Sequence, residues 1–101
     1  MNKEYEVFYG RLGKDPDSRY TQTQKPVCYL SVAIDDETSE GTTWKRVVVW
    51  EEQAEKCRIH LKKGSEVFVR GRNQQRSFKG RDGQMVNLEE VNASQVGIVS
   101  L

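Results

Sequence analysis

Alternating hydrophobic and polar positions predict that most of this chain forms β-strands. The segment Tyr5 to Leu12 is a first β-type run. In a second run, Val27 to Asp35, apolar residues share one face: Cys28, Leu30, Val32 and Ile34. The polar segment 36–43, DETSEGTT, then leads into a third run, Thr43 to Trp50. A hairpin is therefore predicted between the second and third strands.

The hydrophobic period changes in the segment from Glu51 to Lys63. Ala54, Cys57 and Leu61 are spaced as on one face of a helix, with acidic residues in the first turn and lysines in the last. Gly64 follows as a stop signal. These features predict one short amphipathic helix.

Further β-type segments follow the helix. They are a strand at Glu66 to Arg72, a long polar hairpin arm at residues 73–84, its return at Met85 to Ala93 and a last edge segment at Gln95 to Val99. Within the strand, Val67 and Val69 face inward and Phe68 faces outward. Gly71 permits a bulge or a close backbone approach.

Three strands, one short helix and two more strands follow the order of a five-stranded Greek-key barrel of the oligonucleotide/oligosaccharide-binding (OB) type. We therefore predict an all-β OB-fold barrel, with the helix between strands 3 and 4 and a long hairpin arm. A chain of 101 residues forms a single domain, residues 1–101. The fold alone does not decide between oligonucleotides and oligosaccharides as ligands.

Basic charge is concentrated in the middle of the chain. The segment Lys45 to Arg81 holds eleven Lys and Arg against four acidic residues, so the blocks 1–43, 45–81 and 82–101 carry net charges of −3, +7 and −3. Four aromatic residues lie in or beside the basic segment: Trp44, Trp50, Phe68 and Phe78. This mixture suits phosphate neutralisation and base stacking. The competing interpretations are core packing of the rings and a solvated charged face.

No pattern of reactive side chains predicts catalysis, a metal site or a cofactor. Cys28 and Cys57 are 29 positions apart, without the paired spacing of a metal site, which favours buried reduced thiols over a disulfide. His60 has no partner pattern, and the adjacent Glu89 and Glu90 point to opposite faces of a strand. We therefore predict that the protein is not an enzyme. No apolar run approaches the ~20 residues of a membrane span, which favours a soluble, cytoplasmic protein.

Several sequence blocks occur in a recognisable order. They are Gly10 to Tyr20, Trp44 to Trp50, Ala54-Glu55, Leu61 to Ser65 and Val67 to Gly71. In order and spacing these blocks resemble the DNA-binding domain of bacterial-type single-stranded DNA-binding proteins. The resemblance extends from end to end of the chain.

The resemblance implies that aromatic side chains stack on DNA bases at Trp44, Trp50 and Phe78. Phe68, on the outward face of its strand, is a fourth candidate stacking residue. Neighbouring cations are predicted to follow the phosphates: Arg46, Arg70, Arg72, Arg76, Lys79 and Arg81, with Arg11 and Lys14 as weaker candidates. Stacking tolerates any base, so no sequence preference is implied.

Three features depart from the family pattern. The family's flexible segment with an acidic tip, which recruits repair and replication proteins, has no counterpart here before Leu101. The chain is either a trimmed form or a naturally tailless member, so tail-mediated recruitment is not assigned. The loop from Asp36 to Thr43 lacks an aromatic residue that many members have. Lys45 stands where bacterial members commonly have a His at the subunit interface. Since the family forms dimers through its first strand, and tetramers from these, we expect a homo-oligomer, either dimer or tetramer.

The sequence thus predicts a non-catalytic protein that coats and protects single-stranded DNA during replication, recombination and repair. One alternative is a primosome-type relative, a short dimeric OB protein that bridges DNA and replication proteins. A structural alternative is a protein-assembly module that uses its exposed rings for protein contacts. RNA binding also stays open, since nothing in the sequence discriminates at the sugar 2′-OH.

Overall fold

The computed structural model describes residues 5–35 and 41–99, which form six strands and one helix. The elements are β1 Tyr5–Leu12, β2 Asp17–Tyr20, β3 Pro26–Asp35, β4 Thr42–Trp50, α1 Glu51–His60, β5 Glu66–Lys79 and β6 Met85–Val99. The sheet order is β1-β5-β6-β4-β3-β2, and β1 also pairs with β3, which closes a barrel. The predicted all-β OB class is confirmed. Most of the polar turn predicted at 36–43 lies outside the described residues.

The number of strands differs from the prediction by one. The additional strand, β2, pairs with the first part of β3, from Asp17 opposite Tyr29 to Tyr20 opposite Pro26. Because β2 has only four residues, and three of them are exposed, its sequence shows no hydrophobic alternation. By this count the helix lies between the fourth and fifth strands.

The hairpin arm is longer and more regular than predicted. β5 and β6 remain paired to Lys79 opposite Met85, so the hairpin arm comprises residues 73–91 with its turn at 80–84. The predicted edge segment Gln95–Val99 is the end of β6 itself and pairs with the start of β5. Cross-strand hydrogen bonding therefore continues through residues whose polar sequence resembles a loop.

The predicted irregularity at Gly71 is confirmed. The register of β5 and β6 shifts between Arg70 and Gly71. A Cβ atom on Gly71 would lie 2.5 Å from the carbonyl oxygen of Asn92, so the close backbone approach requires glycine. This bulge lies where β5 leaves the barrel and enters the hairpin arm.

Helix α1 is shorter than the predicted segment 51–63 and ends at His60. Leu61 adopts an extended conformation, with φ −107°, and is buried, while its N–H donates to the Cys57 carbonyl at 3.0 Å. Gly64 then takes a left-handed φ of +90°, and its N–H donates to the Leu12 carbonyl. The chain therefore leaves the helix early because Leu61 enters the core and the following turn bonds to β1.

The core fills the barrel, and α1 covers part of it. Its buried members come from five strands, the helix and Leu61 directly after the helix: Leu12, Cys28, Leu30, Val32, Val47, Val49, Ala54, Cys57, Leu61, Val67, Val69, Val91 and Ala93. Cys28 and Cys57 are free and buried, as predicted. Burial raises the pKa of the Cys28 thiol to about 11 and that of the Cys57 thiol to about 12. Across residues 5–35 and 41–99, no helix is long and apolar enough to cross a membrane.

Candidate nucleic-acid interface

The outward side of β4 carries two exposed tryptophans with an arginine between them. Val47 and Val49 are fully buried, so strand alternation turns Trp44, Arg46, Val48 and Trp50 to the opposite side, where Val48 alone is also buried. Trp44 is 58% exposed and Trp50 is 39% exposed. Six residues at about 3.3 Å each separate the two tryptophans by about 20 Å along the strand. We call Trp44, Arg46 and Trp50 the β4 face.

The position of the Trp44 ring depends on a glycine. A Cβ atom on Gly13 would lie 2.4 Å from the Cη2 and Cζ3 atoms of Trp44, so the indole packs directly against the Gly13 backbone. That backbone is held in place because the Gly13 N–H donates to the Ser31 carbonyl at 3.0 Å. Trp44 is therefore supported on its inner side and exposed on its outer side.

The Arg46 guanidinium lies 4.7 Å from the centroid of the Tyr29 ring on β3, a cation–π contact. Arg19 on β2 approaches the same ring at 5.9 Å. Arg19 also forms an ion pair with Asp17 at 2.9 Å. The hydrogen bond from Arg19, together with the positive charges of Arg19, Lys14 and Arg46, lowers the pKa of Asp17. Asp17 thus stays ionised at neutral pH beside the β4 face.

The hairpin arm presents another ring and further cations. Phe78 is 44% exposed and lies opposite Val86. Arg76, two residues earlier on the same side of β5, places its guanidinium 5.8 Å from the Phe78 ring. Lys79 and Arg81 are exposed near the tip of the arm. The arm therefore repeats the combination of ring and guanidinium found on the β4 face.

A buried carboxylate joins the β4 face to the hairpin arm. Glu90 on β6 is 3% exposed and is the one buried polar or charged side chain among those the structure describes. Its Oε2 accepts a hydrogen bond from Arg46 Nε at 3.3 Å, and its Oε1 accepts one from Gln74 Nε2 at 3.4 Å. Arg76 Nε lies 3.9 Å from the same Oε1. One acid therefore contacts arginines from both elements.

Comparison with known proteins identifies the family. Residues 5–99 match the model of the single-strand binding protein family. The matched residues include every strand described above. The chain belongs to this family. The resemblance seen in the sequence blocks is thereby confirmed.

Similar family members include three single-stranded DNA-binding proteins. That of Oceanobacillus iheyensis is 37% identical over 95 residues, covering 89% of this chain and 59% of the relative. That of Bacillus cereus is 37% identical over 95 residues, covering 89% and 56%. That of Neisseria meningitidis serogroup A is 36% identical over 84 residues, covering 76% and 48%. The chain thus spans between about half and three-fifths of the length of these relatives.

In this family member, Phe68 and Arg70 lie on the outward side of β1 and β5. Phe68 is 52% exposed, and its ring centroid lies 5.3 Å from that of Tyr9. Arg70 lies opposite the exposed Val7 on β1. Together with Tyr5 these residues form what we call the β1 face: Tyr5, Val7, Tyr9, Phe68 and Arg70. The structure therefore groups Phe68 with β1 residues, whereas Phe78 lies with Arg76 on the hairpin arm.

The remaining predicted phosphate contacts have different surroundings. Arg11 forms an ion pair with Glu66 at 2.7 Å, and the other Glu66 oxygen accepts a hydrogen bond from the Tyr9 hydroxyl, which raises the pKa of Tyr9. Arg72 is exposed on β5, and Lys14 is exposed in the connection between β1 and β2. Arg11 is thus already engaged by an acid, so it would have to exchange that partner to contact a phosphate.

Lys45 on β4 forms an ion pair inside the fold. Its Nζ lies 2.7 Å from Glu6 Oε1 on β1. The second Glu6 oxygen accepts a hydrogen bond from Asn73 at 2.7 Å. The ion pair therefore links β4 to β1, and the Asn73 hydrogen bond adds β5 to this contact.

Two residues of this interface were missed in the sequence. By sequence alone Glu90 is half of an adjacent carboxylate pair, and Tyr29 lies on the face of its strand opposite to the apolar residues. The signal available for Glu90 is strand alternation across the hairpin arm, which turns Glu90 to the same side as Arg76. Its contact with Arg46 joins residues 44 positions apart and has no local signal.

Proposed function

We propose that this chain binds single-stranded DNA without sequence preference and without catalysis, and coats and protects the strand during replication, recombination and repair. The observation that carries this proposal is the pairing of exposed rings with arginines on the β4 face and again on the hairpin arm. Membership of the single-strand binding protein family supports it. Such a protein acts where DNA is, in the nucleoid.

The proposed mechanism is electrostatic capture followed by stacking. Cations first attract the phosphates, and each phosphate that they neutralise releases counterions, which makes binding salt-dependent. Trp44, Trp50 and Phe78 then stack on successive bases, each contributing about 1–3 kcal/mol. The cations proposed to follow the backbone are Arg46, Arg76, Lys79 and Arg81, with Arg70, Arg72, Arg11 and Lys14 as further candidates. Of these, Arg70 and Arg72 lie opposite β1 residues, and Arg11 forms an ion pair with Glu66.

The first test is a titration of the purified chain with long oligo-dT at two salt concentrations, followed by tryptophan fluorescence. We expect strong quenching, because Trp44 and Trp50 are the two tryptophans of the chain, and a weaker binding constant at high salt. Absence of both quenching and binding would remove the DNA proposal and favour a protein-assembly module. Competition by oligo-rU of equal length measures the preference for DNA over RNA.

Single substitutions test the individual rings. Trp44→Ala, Trp50→Ala and Phe78→Ala should each weaken oligo-dT binding by about 5- to 100-fold, because each removes one stacking contact. Ile59→Ala serves as the control, since Ile59 is an exposed apolar residue on α1 outside the interface. Ring variants that bind as tightly as the Ile59→Ala control would overturn the residue assignments.

Stacking by Phe68 as a fourth ring stays a prediction. Because Phe68 lies on the β1 face, its substitution tests whether DNA reaches that face. One side of its ring contacts Tyr9, so only the remaining surface is open to a base. If the DNA strand continues from the β4 face to the β1 face, Phe68→Ala should weaken oligo-dT binding as much as Phe78→Ala does. An unchanged affinity would confine the strand to the β4 face and the hairpin arm.

We also propose that the chain is a homo-oligomer that uses β1. Residues Tyr5 to Tyr9 pair with β5 along one edge, and no strand within residues 5–35 and 41–99 pairs along the other edge. An open strand edge with unpaired N–H and C=O groups is suited to pairing with a second copy. The apolar side chains of the β1 face continue this surface outward. A dimer built in this way could pair into a tetramer.

A further inference from the structure

Glu90 lies in a place that simple charge complementarity to DNA does not explain. A carboxylate beside a surface that binds a polyanion reduces the attraction for phosphates. Glu90 is also buried, and a buried carboxylate is costly unless charged or polar partners compensate for lost hydration. A residue with two unfavourable electrostatic consequences needs a structural reason to be there.

The contacts of Glu90 supply that reason. Its two oxygens face different elements, with Oε2 bonded to Arg46 on β4 and Oε1 facing Gln74 and Arg76 on the hairpin arm. Each arginine also lies near an aromatic ring, Arg46 at 4.7 Å from Tyr29 and Arg76 at 5.8 Å from Phe78. The carboxylate thus restricts two long side chains that would otherwise sample many rotamers.

The same contacts link the hairpin arm to the barrel. β4 and β6 pair directly at only two positions, Val47 with Val91 and Val48 with Asn92, among the described residues. Glu90 immediately precedes the first of these positions, where β6 leaves the arm. Its bond to Arg46 therefore extends the β4–β6 contact by a side-chain link, at the base of the arm that carries Phe78.

We propose that Glu90 is a positioning residue, whose carboxylate fixes the Arg46 and Arg76 guanidinium groups and holds the hairpin arm in the DNA-binding orientation relative to the β4 face. This inference rests on the proposed function, because it assumes that Arg46, Arg76 and Phe78 contact DNA. Glu90 itself touches no DNA. It acts through the arginines and the arm.

The test uses a substitution for which loss of negative charge and loss of positioning predict opposite changes in DNA affinity. Glu90→Gln keeps the size of the side chain and removes one negative charge, so charge alone predicts tighter binding to oligo-dT. Loss of positioning predicts binding about 5- to 20-fold weaker, because charge-assisted hydrogen bonds to arginine become weaker neutral ones. Glu89→Gln removes the same charge from the exposed neighbouring residue and should change affinity by less than about twofold. Binding of Glu90→Gln as tight as wild type, or tighter, overturns the proposal.

A double-mutant cycle separates positioning from general destabilisation. If Glu90 holds the arm that carries Phe78, the combined loss in Glu90→Gln/Phe78→Ala should be smaller than the product of the two single losses. If Glu90→Gln only destabilised the protein, it would instead reduce oligo-dT affinity by the same factor whether Phe78 is present or not. Losses that multiply therefore overturn the arm-positioning proposal. Circular dichroism checks that each variant is folded at the temperature of the titration.

A second variant keeps the proposal testable if Glu90→Gln does not fold. Arg46→Lys keeps the positive charge but lacks the planar group that contacts both Glu90 and Tyr29, so we expect binding about 3- to 10-fold weaker at unchanged net charge. Unchanged binding would contradict the proposal. If Phe78→Ala and Arg46→Gln both leave oligo-dT affinity unchanged, the proposed interface itself is wrong. If they weaken binding while Glu90→Gln does not, only the positioning role is wrong.

Discussion

Trp44 can pack against the backbone at Gly13 because glycine leaves the space that any other side chain would occupy. A Cβ atom at position 13 would lie 2.4 Å from the Trp44 ring, closer than two packed carbon atoms can approach. Gly13 has an ordinary backbone conformation, so its requirement for glycine comes from the tryptophan and not from φ. The stacking surface therefore depends on a residue that makes no contact with DNA in the proposed mechanism.

Gly13→Ala is expected to displace the Trp44 ring and weaken oligo-dT binding by about 3- to 30-fold, through partial loss of one stacking contact. Gly41→Ala is the matched control, because a Cβ atom there would meet nothing within 4 Å. Fluorescence titration measures both. In a Trp44→Ala background the Gly13 substitution should have no further effect, and an equal loss in both backgrounds would show that Gly13 does not act through Trp44.

The buried thiols predict a loss of stability at high pH. Folding raises the pKa of Cys28 to about 11 and of Cys57 to about 12 from an ordinary value of 9.0, so the folded chain keeps protons that the unfolded chain releases. Stability should therefore fall as the pH rises from about 9 towards 11. Urea unfolding at pH 8 and pH 10 measures the change, and Cys57→Ala should reduce it. An equal change in wild type and Cys57→Ala would contradict the prediction.

At the scale of elements, the junction between β4 and α1 contains a strained residue. Glu51, the first residue of α1, has a left-handed φ of 57°, which is unfavourable for a residue with a Cβ atom. The chain turns sharply there, directly after Trp50. The strain thus lies where the β4 face ends.

Glu51→Gly should leave the free energy of unfolding unchanged or raise it by up to about 1 kcal/mol, since relief of strain offsets the added flexibility of glycine. Glu52→Gly, one residue later in the same helix turn and without a left-handed φ, should lower it by about 1 kcal/mol. The two variants should therefore differ by about 1–2 kcal/mol, and thermal unfolding should separate their Tm values by about 4–16 °C. A Glu51→Gly protein as unstable as Glu52→Gly would mean that φ at residue 51 carries no strain.

The elements were predicted best where hydrophobic alternation continues through them. The inward faces of β3 and the first half of β5 follow period two, so Val32 and Val67 are buried as expected. On β4 the three consecutive residues 47–49 are all buried, which alternation alone does not predict. β2 and the outer part of the hairpin arm are polar, and backbone pairing with a neighbouring strand stabilises them instead of burial. Helix α1 was predicted to reach Lys63 but ends at His60, because Leu61 packs into the core. This packing depends on tertiary contacts, which the local pattern does not contain.

At the scale of the whole molecule, the β1 face and the open β1 edge predict self-association. Val7→Glu places a charge on that face and should lower the apparent mass of the protein in light scattering at micromolar concentration. Ile59→Glu introduces the same charge at another exposed apolar residue, on α1, and should leave the mass unchanged. A monomeric wild-type protein would contradict the proposed oligomer directly. If Val7→Glu and wild type have equal mass above that of a monomer, the contact lies elsewhere.

The sequence by itself determined the fold class, the inward faces of the main strands, the buried thiols and the set of rings and cations available to a polyanion. These properties depend on the local period of apolar residues and on side-chain chemistry, and both can be read directly from the sequence. Only the tertiary structure decided which of these side chains share a surface. It grouped Phe68 with Tyr9, placed Arg46 over Tyr29 and brought Glu90 between two arginines. Such contacts join residues from different strands, so barrel closure and strand register determine them, and no local pattern encodes them.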